Sequence, residues 1–432
     1  MQLKLSLLLF LLILMTAVID AQNIITLKEC YEKAYAATPV ATENEIYDNI
    51  WQIKDKNLSK GWLPEIDAQG SFVYNSSVVD MADVIGSLPL PGIDDHIRPL
   101  PNEQYKVTLG INQMIYDGGS VKNARAVEKV DLNINKKQVE ADLYKLREQI
   151  NSLYFKIMQL NSQKELWQNY METINRRIVS LNSALENGAI LKSDIDVLTS
   201  EKIRLEQQLT ENGIMKESLL NILSDITGNE IEPSAQFVIP AINTDFTDEL
   251  TRPELEIFDL KKNQLDASLQ LLQSKRMPKA FGFATFGYGN PPGSNFFRDE
   301  FAPYSILGAG ISWNIFDWNT IKNEKQIIYH QQNLIDSRKS DAEDNLKRLL
   351  NAKHAEINSL KSLIETDSEL IEIRKRITVT AESQYKNGII TATDYLNELN
   401  SEKLVWINYE IHKIDLAKAI VEFMNISGKE IN

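Results

Sequence analysis

The residues that could do chemistry are few and scattered. The four histidines, His96, His330, His354 and His412, show no close ligand spacing. Cys30 is the only cysteine, so neither an internal disulfide nor a cysteine-built zinc site can form. It lies in LKECYEKAY, which reads as the start of an amphipathic helix rather than the setting of a nucleophile. Asp194 and Asp196 invite a general acid–base reading, but residues two apart on a helix point in different directions and share no substrate. The stretch GYGNPPG at 287–293 has the glycines of a phosphate loop. It lacks the G-K-[ST] ending, and it follows a strand with no helix after it. No cofactor or metal is expected, and an exported hydrolase would need a convergent polar site that these residues do not supply.

Composition narrows the alternatives. The chain has 432 residues, 25% charged, with a formal net charge of −14, which argues against a nucleic-acid partner. The N-terminus places Lys4 before an uncharged run from Leu5 to Ile19, then small and polar residues, as a signal peptide over 1–21 does. That run is too short to span a membrane, and no other stretch has 18 apolar residues in a row. An exported chain without a spanning helix crosses a membrane by β-strands or not at all.

The elements that hold any site come in two copies. ITGNEI (226–231) returns as ISGKEI (426–431), ENGAILKSDIDVL (186–198) as KNGIITATDYLNE (386–398), and IYDGGSVKN (115–123) as IFDWNTIKN (315–323), all at an offset of 200. Upstream, LPEIDAQGSFVY (63–74) faces MPKAFGFATFGY (277–288) at an offset of 214. The difference falls in loops 75–104 and 289–303, where length is free to vary. The repeats run over about 26–228 and 252–428. Each has the order helix, strand, loop, strand, long helix, helix.

From Ser120 to Asn187 there is no glycine or proline, enough for a helix of about 100 Å. Its apolar residues recur as Val139, Leu143, Leu146, Ile150, Leu153, Ile157 and Leu160, the spacing of a coiled-coil seam. Asn187-Gly188 and Asn387-Gly388 end the long helices, and Ser193 and Thr393 are positioned to cap the return helices. Strands are expected over 63–76, 104–116, 278–288 and 304–316, with alternating faces and aromatic ends. Strands of this kind fit a soluble sheet with one wet face as well as an outer-membrane barrel. The export signal and the long helices favour the barrel, which four strands cannot close alone.

These features together resemble the TolC family of outer-membrane efflux proteins. The resemblance rests on the two G-x-x-x-x-[ST]-D tips (188–194 and 388–394), the strand starts at Pro64 and Pro278, the strand ends at Asp117 and Asp317, and the repeat order. It implies a mainly α fold with membrane β: long antiparallel coiled-coil helices forming a periplasmic α-barrel, and four strands per protomer in a trimeric 12-stranded β-barrel. Residues 229–251 and the C-terminus would form an equatorial segment. The implied function is an exit duct, not an enzyme, whose partners are two further copies, outer-membrane lipid, a periplasmic adaptor and an inner-membrane transporter. The resemblance also implies a periplasmic gate. Tyr385 matches the gate tyrosine, Asp394 a constricting aspartate, and Ser193 and Asp194 their partners on the other hairpin. Asn397 stands where a second aspartate is found and Ile390 where an arginine is found. The tips Asn187, Gly188, Asn387 and Gly388 would dock the adaptor or pump. The alternative is an exported coiled-coil scaffold, which explains the heptads but not the two alternating hairpins.

Overall fold

The computed structural model describes residues 24–79, 100–186, 190–241, 249–295 and 298–430. The signal segment 1–21, most of the loop 75–104 with His96, the tip pair Asn187-Gly188 and part of the segment 229–251 lie outside the described residues. Along the chain run β1 (Ile24–Ile25), α1 (Leu27–Ala37), α2 (Glu43–Ser59), β2 (Glu65–Tyr74), β3 (Glu103–Tyr116), α3 (Ser120–Glu186), α4 (Lys192–Thr227), β4 (Gln236–Phe237), α5 (Pro253–Ser274), β5 (Lys279–Asn290), β6 (Ala302–Ser312), α6 (Thr320–Lys386) and α7 (Ala392–Ser427). The long helices α3 and α6 have 67 residues each and the return helices α4 and α7 have 36 each, so the duplication read from sequence is matched in element length. The chain divides into two compact units, one of residues 45–136 and 257–338, the other of 1–44, 137–256 and 339–432.

The first of these units carries an antiparallel sheet in the order β2-β3-β5-β6. Its register puts Ile66, Ile111, Ala284 and Leu307 in one cross-strand row and Glu65, Asn112, Phe283 and Gly308 in the adjacent one. Because side chains alternate along a strand, these rows lie on opposite faces. Two boundaries differ from expectation. The helix expected to open the first repeat is broken at Pro39, which has no N–H to give and holds Thr38 extended (ψ 135°). Strand β6 ends at Ser312 and not at 316, since its last partner on β5 is Lys279; beyond it the Trp313 indole donates to the carbonyl of Arg276 at 3.0 Å.

Both strand-to-helix turns are built on an aspartate. The Asp117 carboxylate accepts from the N–H of Gly119 (2.8 Å) and Val121 (2.6 Å), and that of Asp317 accepts from Asn319 and Ile321 (both 3.1 Å). These bonds satisfy N–H groups that the first turn of a long helix leaves unpaired. Two residues in each turn have positive φ: Gly118 and Gly119 in the first, Trp318 and Asn319 in the second.

The other unit is helical, with one small parallel pair, Ile24–Gln236 and Ile25–Phe237. The Tyr154 hydroxyl lies 2.8 Å from the carbonyl of Ile25 and 2.7 Å from that of Val238, bridging those strands from α3. The apolar seam reaches the core as expected: Val139, Ile150, Ile157 and Ile174 are fully buried, and Leu350, Ile357, Leu360 and Ile371 fill the corresponding positions of α6. Three clusters result. One gathers α1, α3, α4 and α7 around Tyr154 and Phe155, one gathers the hairpin tips around Ile174 and Tyr395, and one lies between α6 and α7 around Phe423.

Candidate functional site

The sheet presents one apolar and one polar face. On the apolar face Ile66, Phe72, Val107, Leu109, Leu307 and Ile311 are all exposed, Ile311 at 78%. Aromatic residues mark both ends of that face. Near the loops Phe72, Tyr105, Phe301 and Tyr288 form a chain of ring contacts 4.9 to 6.0 Å apart. At the helical end Trp313, Phe316 and Trp318 are exposed. An outward apolar band between aromatic girdles is the pattern of a strand set in lipid. The other face is mostly polar, carrying Glu65, Asp67, Gln69, Lys106, Thr108 and Asn112. The outermost strands β2 and β6 each pair on one side only.

The hairpin tip is the second region of interest. Gly388, at φ 69°, ends α6 by turning the chain back, with Gly388 N–H bonded to the carbonyl of Tyr385 (3.0 Å) and Ile389 N–H to that of Gln384 (2.9 Å). The Asn387 side chain adds a bond to the carbonyl of Ser383 at 2.8 Å. The return helices are capped two residues earlier than the sequence suggested. Thr391, not Thr393, is the N-cap of α7. Its hydroxyl accepts from Asp394 N–H (3.1 Å) and donates to the Asp394 carboxylate (2.7 Å), which also accepts from Thr391 N–H (3.0 Å). Leu191, not Ser193, holds the same place on α4. It has no side-chain acceptor, so only the reverse half of the box forms, with Leu191 N–H donating to Asp194 at 3.2 Å. Ser193 and Thr393 are exposed one residue inside the helix start, because both extended N-cap residues come earlier.

The expected gate residues fall into two groups. Tyr385 lies among the tip cluster, stacked on Tyr395 with ring centroids 5.5 Å apart and planes within 4°. Burial, and then the charge of Asp194 on the other hairpin, push its phenol above the usual range. Asp394 and Asn397 line a separate groove of about 460 Å³ between α6 and α7, with Ile390, Arg376, Gln384 and Glu398. Asp394 itself is held below the usual carboxylate range by its hydrogen bonds to the Thr391 side chain and backbone. The hydroxyl of Tyr385 has no hydrogen-bond partner among the described residues.

Sequence reasoning missed a basic link at this tip. Arg177 of α3 pairs with Glu382 of α6, and its guanidinium stands 5.3 Å over the Tyr395 ring. Burial opposes the Arg177 charge, but its hydrogen bonds to Glu382 and Tyr395 outweigh that and raise its pKa. Glu382 is lowered first by its bond to Lys386 (2.8 Å) and then by Arg177. The signal was a break in repeat symmetry. At the offset of 200, Arg177 corresponds to Ile377, Tyr395 to Ile195 and Tyr385 to Leu185.

Comparison with known proteins gives a consistent reading. Residues 57–196 match the model of the outer membrane efflux protein family. Comparison with curated proteins finds no match. Among solved structures, CusC superposes with a TM-score of 0.70 at 11% identity, over 94% of this chain and 92% of that one. VceC from Vibrio cholerae superposes with a TM-score of 0.66 at 13% identity, covering 94% and 97%. The CmeC outer membrane channel of Campylobacter jejuni gives 0.63 at 13% identity, covering 93% and 85%. At these identities the likeness is one of fold.

Proposed function

We propose that this chain is an outer membrane efflux protein that forms the exit duct of a tripartite efflux or type I secretion machine. In this reading it is a homotrimer joined through a periplasmic adaptor to an inner-membrane transporter. Its place is the outer membrane of a Gram-negative cell with its helices in the periplasm, and its role is conduction, not catalysis.

The observation that carries the proposal is the pair of unpaired sheet edges. An open edge in lipid leaves N–H and C=O groups with no partner, at several kcal/mol each. Three copies of the four strands give a 12-stranded cylinder in which β6 of one copy meets β2 of the next. The helices support the same closure. Leu349, Leu363, Leu370 and Ile377 share one heptad position along α6, interrupted by Glu356, and are exposed, beside the buried seam of Leu350, Ile357 and Ile371. Along α3 only Val179 among the described large apolar residues is exposed. A second seam on one helix calls for a second helix to cover it, and α6 is therefore the side that meets a neighbouring copy. In the other unit the exposed Ile46, Ile50 and Ile53 of α2 have the same character.

The tip then acts as a gate. The Arg177–Glu382 pair joins the two hairpins within a copy, the Tyr385–Tyr395 stack ties α6 to α7 at the tip, and Asp394 faces the groove side, where three copies form an acidic ring. Such rings attract cations and hinder anions. The test has two parts. Cross-linking in native outer membranes is expected to give a three-chain species, and the purified protein to give discrete conductance steps in planar bilayers. A stable single chain in mild detergent that forms no pore overturns the proposal.

A further inference from the structure

The face of the sheet opposite the lipid-type face is mostly polar and carries one aromatic group. There, aromatic side chains reach over glycines of the strand directly across from them. Phe281 is paired with Gly310, Phe283 with Gly308 and Tyr304 with Gly287. A Cβ built on Gly310 would stand 2.7 Å from the Phe281 ring, and Cβ atoms at Gly308 and Gly287 would likewise run into the rings of Phe283 and Tyr304. Each ring therefore rests on bare backbone, with its other face turned away from the sheet. Phe281 and Phe283 are neighbours, with centroids 6.4 Å apart and planes inclined by 35°.

Covering a glycine stabilises a sheet and by itself asks for no ligand. Two further facts point beyond that. First, these rings remain partly exposed to water on a face whose other residues are mostly Glu, Asp, Gln, Ser, Thr, Asn and Lys, with Val73, Met114 and Ile306 among them. Second, the one charge in the rows that bear these rings is a carboxylate, and the row between Phe283 and Tyr304 holds another. Glu65 shares a row with Asn112, Phe283 and Gly308, and Asp67 shares the next with Gly110, Thr285 and Ile306. The two cations of this face lie at its ends, Lys106 in the row beyond Tyr304 and Lys279 in the row beyond Phe281, so Phe283 is the ring set among carboxylates. A flat aromatic surface with carboxylates beside it suits a planar cation that can stack and be neutralised together.

We propose that this wall is a binding surface for planar aromatic cations, and that cargo of this class passes the barrel along it. The inference rests on the duct reading, which makes this face the inner wall of the closed barrel. Closure strengthens it: Phe281 and Phe283 reach over β6, and β6 would then adjoin β2 of the next copy, which bears Glu65 and Asp67.

The experiment uses the full-length protein in planar bilayers, with proflavine as the planar cation and tetraethylammonium as a cation of equal charge without rings. Proflavine should block the wild-type current at concentrations about tenfold below tetraethylammonium, the size of one aromatic stacking contact. The Phe281→Ala/Phe283→Ala variant should lose that tenfold advantage and keep its response to tetraethylammonium. Phe283→Tyr should retain it, and Glu65→Gln/Asp67→Asn should weaken block by both cations. If the double alanine variant does not insert, Phe281→Leu/Phe283→Leu covers the glycines without a flat face and should lose the advantage too. Equal block of the wild type by the two cations overturns the inference, as does a conducting double variant that keeps proflavine block. Either result leaves the duct reading standing, because the pore itself is then observed. A wild-type protein that gives no pore sinks both.

Discussion

Replacing Gly428 by alanine should cost far more than the same change at Gly388, although both end a helix of the second repeat in the same way. Each has positive φ, 91° and 69°, and each is followed by an N–H that turns back to the preceding turn. A methyl group forces a left-handed L-residue at both, at about 1 kcal/mol. At Gly388 no atom lies within 4 Å of the new Cβ, so the strain is the whole cost. At Gly428 the new Cβ would stand 2.5 Å from the carbonyl carbon of Thr251 and 2.7 Å from the nitrogen of Arg252. These are backbone atoms, and moving them disturbs the 2.8 Å bond from Thr251 N–H to the carbonyl of Ser427. Overpacking adds about 1–3 kcal/mol and the weakened bond about 1 kcal/mol, for a total of about 3–5 kcal/mol. Global unfolding of an assembled membrane protein is not a two-state process, so the assay is native-state amide exchange read region by region. Gly428→Ala should accelerate exchange at residues 251–256 and 424–428 by about two to four orders of magnitude. Gly388→Ala should accelerate the tip amides by about fivefold. Similar responses at the two sites would refute the reasoning, since only the backbone contact of Gly428 distinguishes them.

Three further outcomes are expected. Arg177→Met should loosen the tip by about 1–2 kcal/mol, less than a stranded buried charge costs because Lys386 still neutralises Glu382; tip-amide exchange measures it, and an unchanged tip would show the pair to be ornamental. The carboxylates of Glu382 and Asp394 are both held low, so their stabilisation is complete above about pH 4.5, the ordinary value for glutamate, and is lost as pH falls through their lowered values. Thiol labelling of a cysteine placed at Asn387, in a Cys30→Ala background, should rise on acidification below that point, and Glu382→Gln should flatten the response; a midpoint well above it would instead show that crowding of Asp394 around the trimer axis outweighs the Thr391 bonds. Asp394→Asn should lower cation preference and block by multivalent cations in planar bilayers, and unchanged selectivity in a conducting trimer would confine Asp394 to its capping role.

Much of the fold was legible because the chain is nearly one-dimensional. Long runs without glycine or proline specify helices whatever the tertiary setting, and Pro64 and Pro278 directly precede β2 and β5 as read. What escaped were decisions made by neighbours. The end of β6 depends on where β5 begins, which its own alternating pattern does not record. Thr391 and Thr393 are chemically equivalent caps, and the choice falls to the residue whose third neighbour, Asp394, can return the bond. The tip was half legible. Tyr385 and Asp194 do come together, whereas Asp394 and Asn397 face a different groove. Arg177 could not be assigned from its place in the heptad, since only contact with Glu382 distinguishes it from any solvated arginine.

The two aspartate-built turns hold one backbone with unlike residues. A side chain on Gly118 would meet the Cβ of Met277 at 2.6 Å, while Trp318, at the matching place, is 82% exposed. Had the two halves stayed separate identical subunits around the ring, every change at this turn would have appeared at all positions together, and the crowded setting would have vetoed it each time. Fusing the halves into one gene removed that veto. One copy remains answerable to its packing, and the other is free to drift, even into a bulky left-handed tryptophan that no selection for ease of folding would choose. Diversity among channels of this build should therefore accumulate unevenly, with novelty entering through the roomier half.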